Sequence, residues 1–204
     1  NDRFSKQALF QQGWQDLYGD TIRRQSASND GRVIRVEPSS MRVHTDFDTY
    51  QPDVANIIPP QQAGDIAHRA GVTDSSGWCP VESVGFESNR RPNIHVIGDA
   101  AIAAPMPKSA FAANAQAKVC AIALVRLFRG IRPEPTVLAK TCYSYLKPGH
   151  AISLAGAYRT HNGEFSAIAA ASGASPIDAT QALRQQEAAH AADWFSAITQ
   201  ETFG

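Results

Sequence analysis

Ile94-His95-Val96-Ile97-Gly98-Asp99-Ala100, followed at a short distance by Met106-Pro107-Lys108-Ser109, is the stretch on which the reading of this chain turns. A short apolar run ends in Gly-Asp. A second break then opens an Ala-rich segment, residues 109–128, of helical composition. The pattern predicts a buried strand that delivers the Asp99 carboxylate at its C-terminal end, with a helix N-terminus close by. Such a carboxylate accepts hydrogen bonds from sugar-alcohol hydroxyls. The helix end offers unpaired N–H groups and a partial positive charge. Together they suit a ligand that joins a polyol to an electron-rich ring, and open α/β sheets bind ligands at the carboxyl ends of their strands. On its own, Gly-Asp after a strand is an ordinary turn.

Working outward, Ser109 is a suitable N-cap for the Ala-rich helix, which should stop at Gly130 with Pro133 and Pro135 beyond it. Upstream, residues 5–25 predict a helix whose Leu9, Phe10, Trp14 and Leu17 fall at helical spacing, a stripe read as core packing. Asn29-Asp30-Gly31 is a turn, and residues 32–36 and 41–45 alternate as strands do. Residues 54–58 predict a buried strand closed by Pro59-Pro60. Downstream, residues 151–158 and 164–171 are short alternating runs around His161-Asn162-Gly163, and Asn-Gly between strands signals a hairpin. Ser175-Pro176 followed by Asp178 predicts the start of a last helix carrying Leu183, Trp194, Phe195 and Ile198.

The composition excludes several classes. The chain has 204 residues, 43% hydrophobic, and formal net charge +0, which supports a sizeable core and argues against nucleic acid as the main partner. The six histidines are scattered, with no metal-ligand spacing. No run of about 18 apolar residues predicts a membrane span. No signal-peptide pattern opens the chain, which begins Asn1-Asp2 without Met and so reads as a processed or cut piece. No G-x-G-x-x-G loop follows a strand. The three cysteines are an odd number. Cys120, among Val119, Ala121 and Ile122, reads as a buried small hydrophobe, and Cys79 in its Trp-Cys-Pro loop as packing. Taken by itself, Cys142 in Thr-Cys-Tyr-Ser is equally bland, and Trp194 is one apolar residue on an amphipathic helix.

An ordered series of segments resembles the flavin-binding subunit of flavocytochrome c sulfide dehydrogenases. It starts with Asp53-Val54-Ala55-Asn56-Ile57-Ile58-Pro59-Pro60-Gln61-Gln62-Ala63-Gly64, then Gly77-Trp78-Cys79-Pro80-Val81 and Phe86-Glu87-Ser88. The Gly-Asp segment, Met106-Pro107-Lys108-Ser109 and Ala117-Lys118-Val119-Cys120-Ala121 follow. Thr141-Cys142-Tyr143-Ser144, Ile152-Ser153, Tyr158-Arg159 and Trp194 complete it. Ala110 stands where the family usually has Gly, Ala115 for Ser, and Lys140 for Asn.

The resemblance implies an α/β fold: the C-terminal part of a two-dinucleotide-binding-domain flavoprotein, plus a small α+β interface domain at the C-terminus. Residues 1–58 would end a central pyridine-nucleotide-like domain, 59–130 would complete the FAD-binding domain, and 131–204 would form the hairpin-plus-helix appendage. The N-terminal half of the same flavoprotein, with the pyrophosphate loop, would then lie outside these residues. FAD would be held by Gly98, Asp99, Pro107, Lys108, Ser109 and Ala110, with Pro59 and Pro60 along the flavin edge. The resemblance also makes Cys142 half of a redox-active disulfide whose partner lies in that N-terminal half, and places Trp194 beside the isoalloxazine. Hydrosulfide (HS⁻) would be the substrate, and electrons would leave to a c-type cytochrome subunit carrying haem c, in the periplasm.

Other functions compete. A sulfide:quinone oxidoreductase needs an exposed apolar C-terminal surface, whereas the last helix here is rich in Gln, Glu, Ala and His. A nicotinamide-dependent disulfide reductase does not share the Thr141–Ser144 or Trp-Cys-Pro segments. A third reading is a structural partner without catalysis of its own.

Overall fold

The computed structural model describes residues 2–204, a mixed α/β chain that divides into two units at Pro60. In the first unit, α1 (Gln7–Tyr18) is shorter than the helix expected over residues 5–25. It ends at Gly19, whose φ of 54° leaves the helical region. Phe10 and Trp14, one turn apart, pack against each other and against Phe4 as tilted rings with centroids 5.4–6.3 Å apart, and Leu9 is buried. The short α2 (Ala27–Asp30) is capped by the Ser26 hydroxyl and stops at Gly31, with φ 81°. Beyond it, β1 (Val33–Glu37), β2 (Arg42–Thr45) and β3 (Thr49–Tyr50) form an antiparallel meander, close to the strands the alternation predicts.

The buried strand expected over residues 54–58 does not form. The segment is irregular, with Val54 84% and Ile58 75% exposed. An apolar run becomes a strand only where a neighbour completes its hydrogen-bond ladder. Pro52 before it and Pro59-Pro60 after it remove donors that a ladder would need.

The second unit carries α3 (Asp65–Arg69) and a parallel pair, β4 (Cys79–Pro80) and β5 (Ala101–Ile102). The long α4 (Ala110–Phe128) follows, with Gly130 at φ 70° beyond its end, as the stop signals predict. Ala112, Gln116, Cys120 and Ala123 form its buried stripe. Among the described residues α4 is the one helix long and apolar enough by length and composition to cross a membrane, although no apolar span was expected. Only 22% of its apolar window is buried, along that stripe, and Ile122, Val125 and Phe128 on its other side are exposed.

The antiparallel sheet that follows is built on β6 (Leu138–Lys147) and β7 (His150–His161), in register over most of their length, with β8 (Glu164–Ala167) and β9 (Gly173–Ala174) both pairing β7. Asn162 and Gly163 both have positive φ, 52° and 80°, the mirror-image turn that matches strand twist. One core cluster joins Val81, Phe86, Met106 and Cys120 to Leu138, Tyr158 and Phe165 of the sheet. Phe86 is fully buried and stacks on Phe165 at 5.4 Å. Burying such a ring contributes about 1.5–3 kcal/mol. The strand β6, which follows the Pro133–Pro135 connection, carries Cys142.

The last helix, α5 (Gln181–Phe203), lies against β7 and β6 and buries Arg184, Glu187, Ala188 and Ala191, the i, i+3, i+4, i+7 face. It starts later than Ser175-Pro176 predicts: its cap is Thr180, whose hydroxyl accepts Leu183 N–H. Ser175 has other partners. Its hydroxyl donates to the buried Glu187 carboxylate and accepts Ser153 N–H at 2.6 Å, so it cannot cap a helix.

The buried strand expected over residues 94–97 is likewise absent. The segment is extended, but His95 forms only an isolated bridge to Glu87, and Ile94 and Ile97 are 38% and 37% exposed. Val96 anchors it by packing against both core clusters of this unit.

Candidate functional site

Gly98 opens a single 3-10 turn, Gly98–Ala100, directly after the extended segment. Its φ of 70° is the reason for glycine, since a Cβ built there would meet only Ala113 Cβ, at an ordinary 3.6 Å. The turn is fastened from both sides. Gly98 N–H donates to Gln116 Oε1 at 2.7 Å, and Gln116 Nε2 reaches Met106 Sδ at 3.5 Å. Lys108 Nζ donates to the Asp99 carbonyl and, at 3.4 Å, to the Ala101 carbonyl. The same ammonium lies 3.4 Å from the centroid of the Trp78 ring, a cation–π contact.

Lys108 is exposed as a whole, but its ammonium is held against the Trp78 ring and the two carbonyls. That local burial pushes its pKa down, and the Asp99 carboxylate and the Cys79 sulfur oppose the shift. The Asp99 carboxylate itself is exposed and takes no hydrogen bond from any described residue. Backbone fixed, side chain outward: the arrangement presents an acceptor to whatever approaches.

Ser109 caps α4 as expected, accepting Ala112 N–H at 3.3 Å, while its carbonyl takes Ala113 N–H. The amides of Ala110 and Phe111 lie in the first turn, where a helix offers donors without internal partners. A narrow groove is lined by Gly98, Asp99, Pro107, Lys108, Ser109 and Gln116. An apolar hollow of about 400 Å³ shares Pro107 and Lys108 with it and adds Ser76, Trp78 and Ile102. Five of the predicted residues thus meet in one groove, and Ala110 begins the helix beside it. Trp194 joins from α5 through Phe111 in the first turn of α4: the rings stack with centroids 5.5 Å apart at 11°.

Other predicted residues fall elsewhere. Pro59 and Pro60 are exposed and close the first unit. Cys142 is half-buried on β6, opposite Leu154 of β7. Cys79 and Cys120 are buried, and burial raises both thiols above the ordinary value of 9.0. Among the described residues no group of three or more His, Cys, Asp or Glu side chains could hold a metal.

Sequence reasoning missed Gln116 and Trp78. Gln116 was detectable: an uncharged polar residue on the stripe with Ala112, Cys120 and Ala123 must have a buried partner. Trp78 lies far from Lys108 in sequence, and nothing local links them.

Residues 1–59 match the family model for the sulfide dehydrogenase [flavocytochrome c] flavoprotein chain, central, and residues 134–203 match that for flavocytochrome c sulphide dehydrogenase, flavin-binding. The chain is also 30% identical over 81 residues to the mitochondrial sulfide:quinone oxidoreductase of Mus musculus, a match covering 40% of this chain and 18% of that protein. The flavin-binding segment includes Cys142 and Trp194, and its match makes a flavin the cofactor class of this family. With central and flavin-binding segments matched in order, the chain belongs to the flavocytochrome c sulfide dehydrogenase flavoprotein family.

Proposed function

We propose that this chain works within an FAD flavoprotein that oxidises hydrosulfide and passes the electrons to a c-type cytochrome subunit in the periplasm. The observation that carries the reading is the Gly98–Ser109 groove. There an exposed carboxylate that takes no hydrogen bond from the described residues stands beside the first-turn amides of α4, with Trp194 stacked one residue away on Phe111. Those groups fit the two ends of a flavin: a hydroxylated chain for Asp99 to accept from, and an electron-rich pyrimidine edge for the α4 amides to donate to.

In this reading Asp99 orients the ribityl chain, and the α4 N-terminus favours negative charge on the ring side. Phe111 and Trp194 exclude water from the face where sulfur chemistry occurs. Cys142 and a cysteine outside these residues form a disulfide. Hydrosulfide attacks one of its sulfurs, the S–S bond breaks, one cysteine carries the persulfide and the other is released as a thiolate. FAD supplies a two-electron acceptor that gives electrons up singly, which a disulfide cannot do. A catalytic disulfide suits an oxidising compartment.

The similarity to the mouse protein supports a second reading in which a quinone takes the electrons. Absorbance of the purified complex separates the two, since flavin bands together with a haem Soret band support the cytochrome route. Steady-state turnover with sulfide should proceed with cytochrome c. Turnover with a short-chain quinone alone, in protein that partitions with membranes, replaces the first reading by the second.

A further inference from the structure

Asp99 can serve a ligand only if its backbone is held where the carboxylate points outward, and the groove shows what holds it. Gln116 is 3% exposed, about two turns into α4, and shares its buried stripe with Ala112, Cys120 and Ala123, none of which carries an oxygen or nitrogen on its side chain. A buried primary amide without partners costs about 1–3 kcal/mol. Gln116 avoids that cost by reaching out of the helix to the Gly98 N–H at 2.7 Å and to Met106 Sδ at 3.5 Å. Gly98 and Met106 bracket the loop that contains Asp99 and the β5 strand. One side chain therefore fastens both ends of that loop to the helix whose first turn completes the groove. Lys108 meets it from the other side, through the Asp99 carbonyl.

We propose that Gln116 is a positioning residue for the flavin site: its carboxamide fixes the left-handed Gly98 turn against α4 and so sets the direction of the Asp99 carboxylate toward the ribityl chain. The inference rests on the reading of Asp99 as a flavin ligand. It assigns Gln116 no contact with the cofactor. Its signature is an effect on flavin affinity transmitted through Asp99 alone. A residue that merely fills volume under the loop would act on the whole groove, whether or not Asp99 is present.

The test is a double-mutant cycle in the intact flavoprotein, stripped of flavin and titrated with FAD, read by quenching of flavin fluorescence. Gln116→Met keeps the length of the side chain and removes the acceptor for Gly98 N–H. It should raise the FAD dissociation constant about tenfold, the effect of losing one buried hydrogen bond. Gln116→Glu keeps an acceptor at the same reach and should bind FAD more tightly than the Met variant. In an Asp99→Ala background, Gln116→Met should change the constant by less than about twofold, because residues acting as a unit are not additive.

Wild-type affinity in Gln116→Met overturns the proposal, as does a Glu variant as weak as the Met variant, or losses that multiply in the double variant. If Asp99→Ala itself binds FAD normally, the reading of Asp99 falls and takes the proposal with it. If Asp99→Ala is weakened and Gln116→Met is not, only the proposal falls. Should Gln116→Met not accumulate as folded protein, Gln116→Asn, one methylene too short to reach Gly98, carries the same comparison.

Discussion

Two buried polar arrangements in the second unit use the same chemistry to opposite ends. Beneath α5, the Glu187 carboxylate accepts from Ser153 Oγ at 2.7 Å, from Ser175 Oγ, and from Arg184 Nη1 at 3.2 Å. Arg184 in turn donates to the Pro176 carbonyl at 2.6 Å. Both side chains are nearly inaccessible, at 7% and 9% exposure for Arg184 and Glu187. Every charge there is answered from within the fold. At the Gly98–Ser109 groove, Gln116 and Lys108 each fasten the turn through its backbone, at Gly98 N–H and the Asp99 carbonyl, and the one carboxylate is left facing solvent without a hydrogen-bonding partner. The closed network joins α5 to the sheet and orders the chain. The open one holds a turn still and leaves its acceptor unused, which is how a binding group differs from a structural one.

The largest effect separating the two should come from breaking the closed network. Glu187→Leu leaves the Arg184 guanidinium buried without its carboxylate, which costs about 3–5 kcal/mol. Replacing both, with Arg184→Met and Glu187→Leu together, should recover much of that loss, because no lone charge is then buried. Urea denaturation measures both variants. A double variant as unstable as the single one would show that the network contributes more than charge compensation.

Asp99→Ala should behave the other way round. Removing an exposed side chain with no protein hydrogen bond should leave the denaturation midpoint of the flavin-free protein nearly unchanged. Flavin retention should weaken by about 1–3 kcal/mol, the value of a hydrogen bond to a charged group. Full flavin occupancy at normal affinity, measured by titration, would remove Asp99 from the site and erase the contrast between the two arrangements.

The local signals in the sequence were reliable where chemistry is local. Ser109 as a cap, Gly130 past the helix end and Asn162-Gly163 as a hairpin turn each depend on a few neighbouring residues, and all three stand in the structure. Apolar runs were misleading at residues 54–58, where prolines on both sides remove ladder donors, and at 94–97, where the backbone pairing with Phe86 and Ser88 is too short to make a strand. Ser175 looked like a helix cap because its partners, Ser153 and Glu187, lie on other elements and cannot be seen from its neighbours. Most of the groove was legible because its residues cluster between positions 98 and 110. The Trp78 contact and the reach of Gln116 back to Gly98 were not, since both depend on how distant segments pack.

Trp194 tests whether the two arrangements communicate, since it sits on the α5 helix and touches the first turn of α4. Its stacking on Phe111 should contribute about 0.5–1.5 kcal/mol beyond the area buried. A cycle of Trp194→Leu and Phe111→Leu, followed by urea denaturation, reads that coupling directly. Strict additivity of the two losses would mean the rings are neighbours without a specific interaction, and that α5 is not tied to the groove at this point.

The smallest effect is in the thiols of the region that carries the groove. Cys79 packs with Ala63, Ala67 and Val72, and Cys120 lies one turn beyond Gln116 on the stripe of α4. Burial is the main cause of the upward shift in both; Lys108 opposes it at Cys79, and Glu82 adds to it at Cys120. Burial also raises Tyr158, from an ordinary value of 10.0. The sign follows from proton binding: the folded chain keeps these protons to higher pH than the unfolded chain does. Their contribution to stability is therefore complete below the ordinary thiol value of 9.0 and is lost as pH rises through the folded values. The urea midpoint should fall with pH above about 9, first through the thiols and then through Tyr158. A Cys79→Ala, Cys120→Ala variant should show a shallower fall over the thiol range, whatever its starting stability. Parallel slopes in the variant and the parent would assign the alkaline loss to other groups and leave the two thiols as plain packing residues.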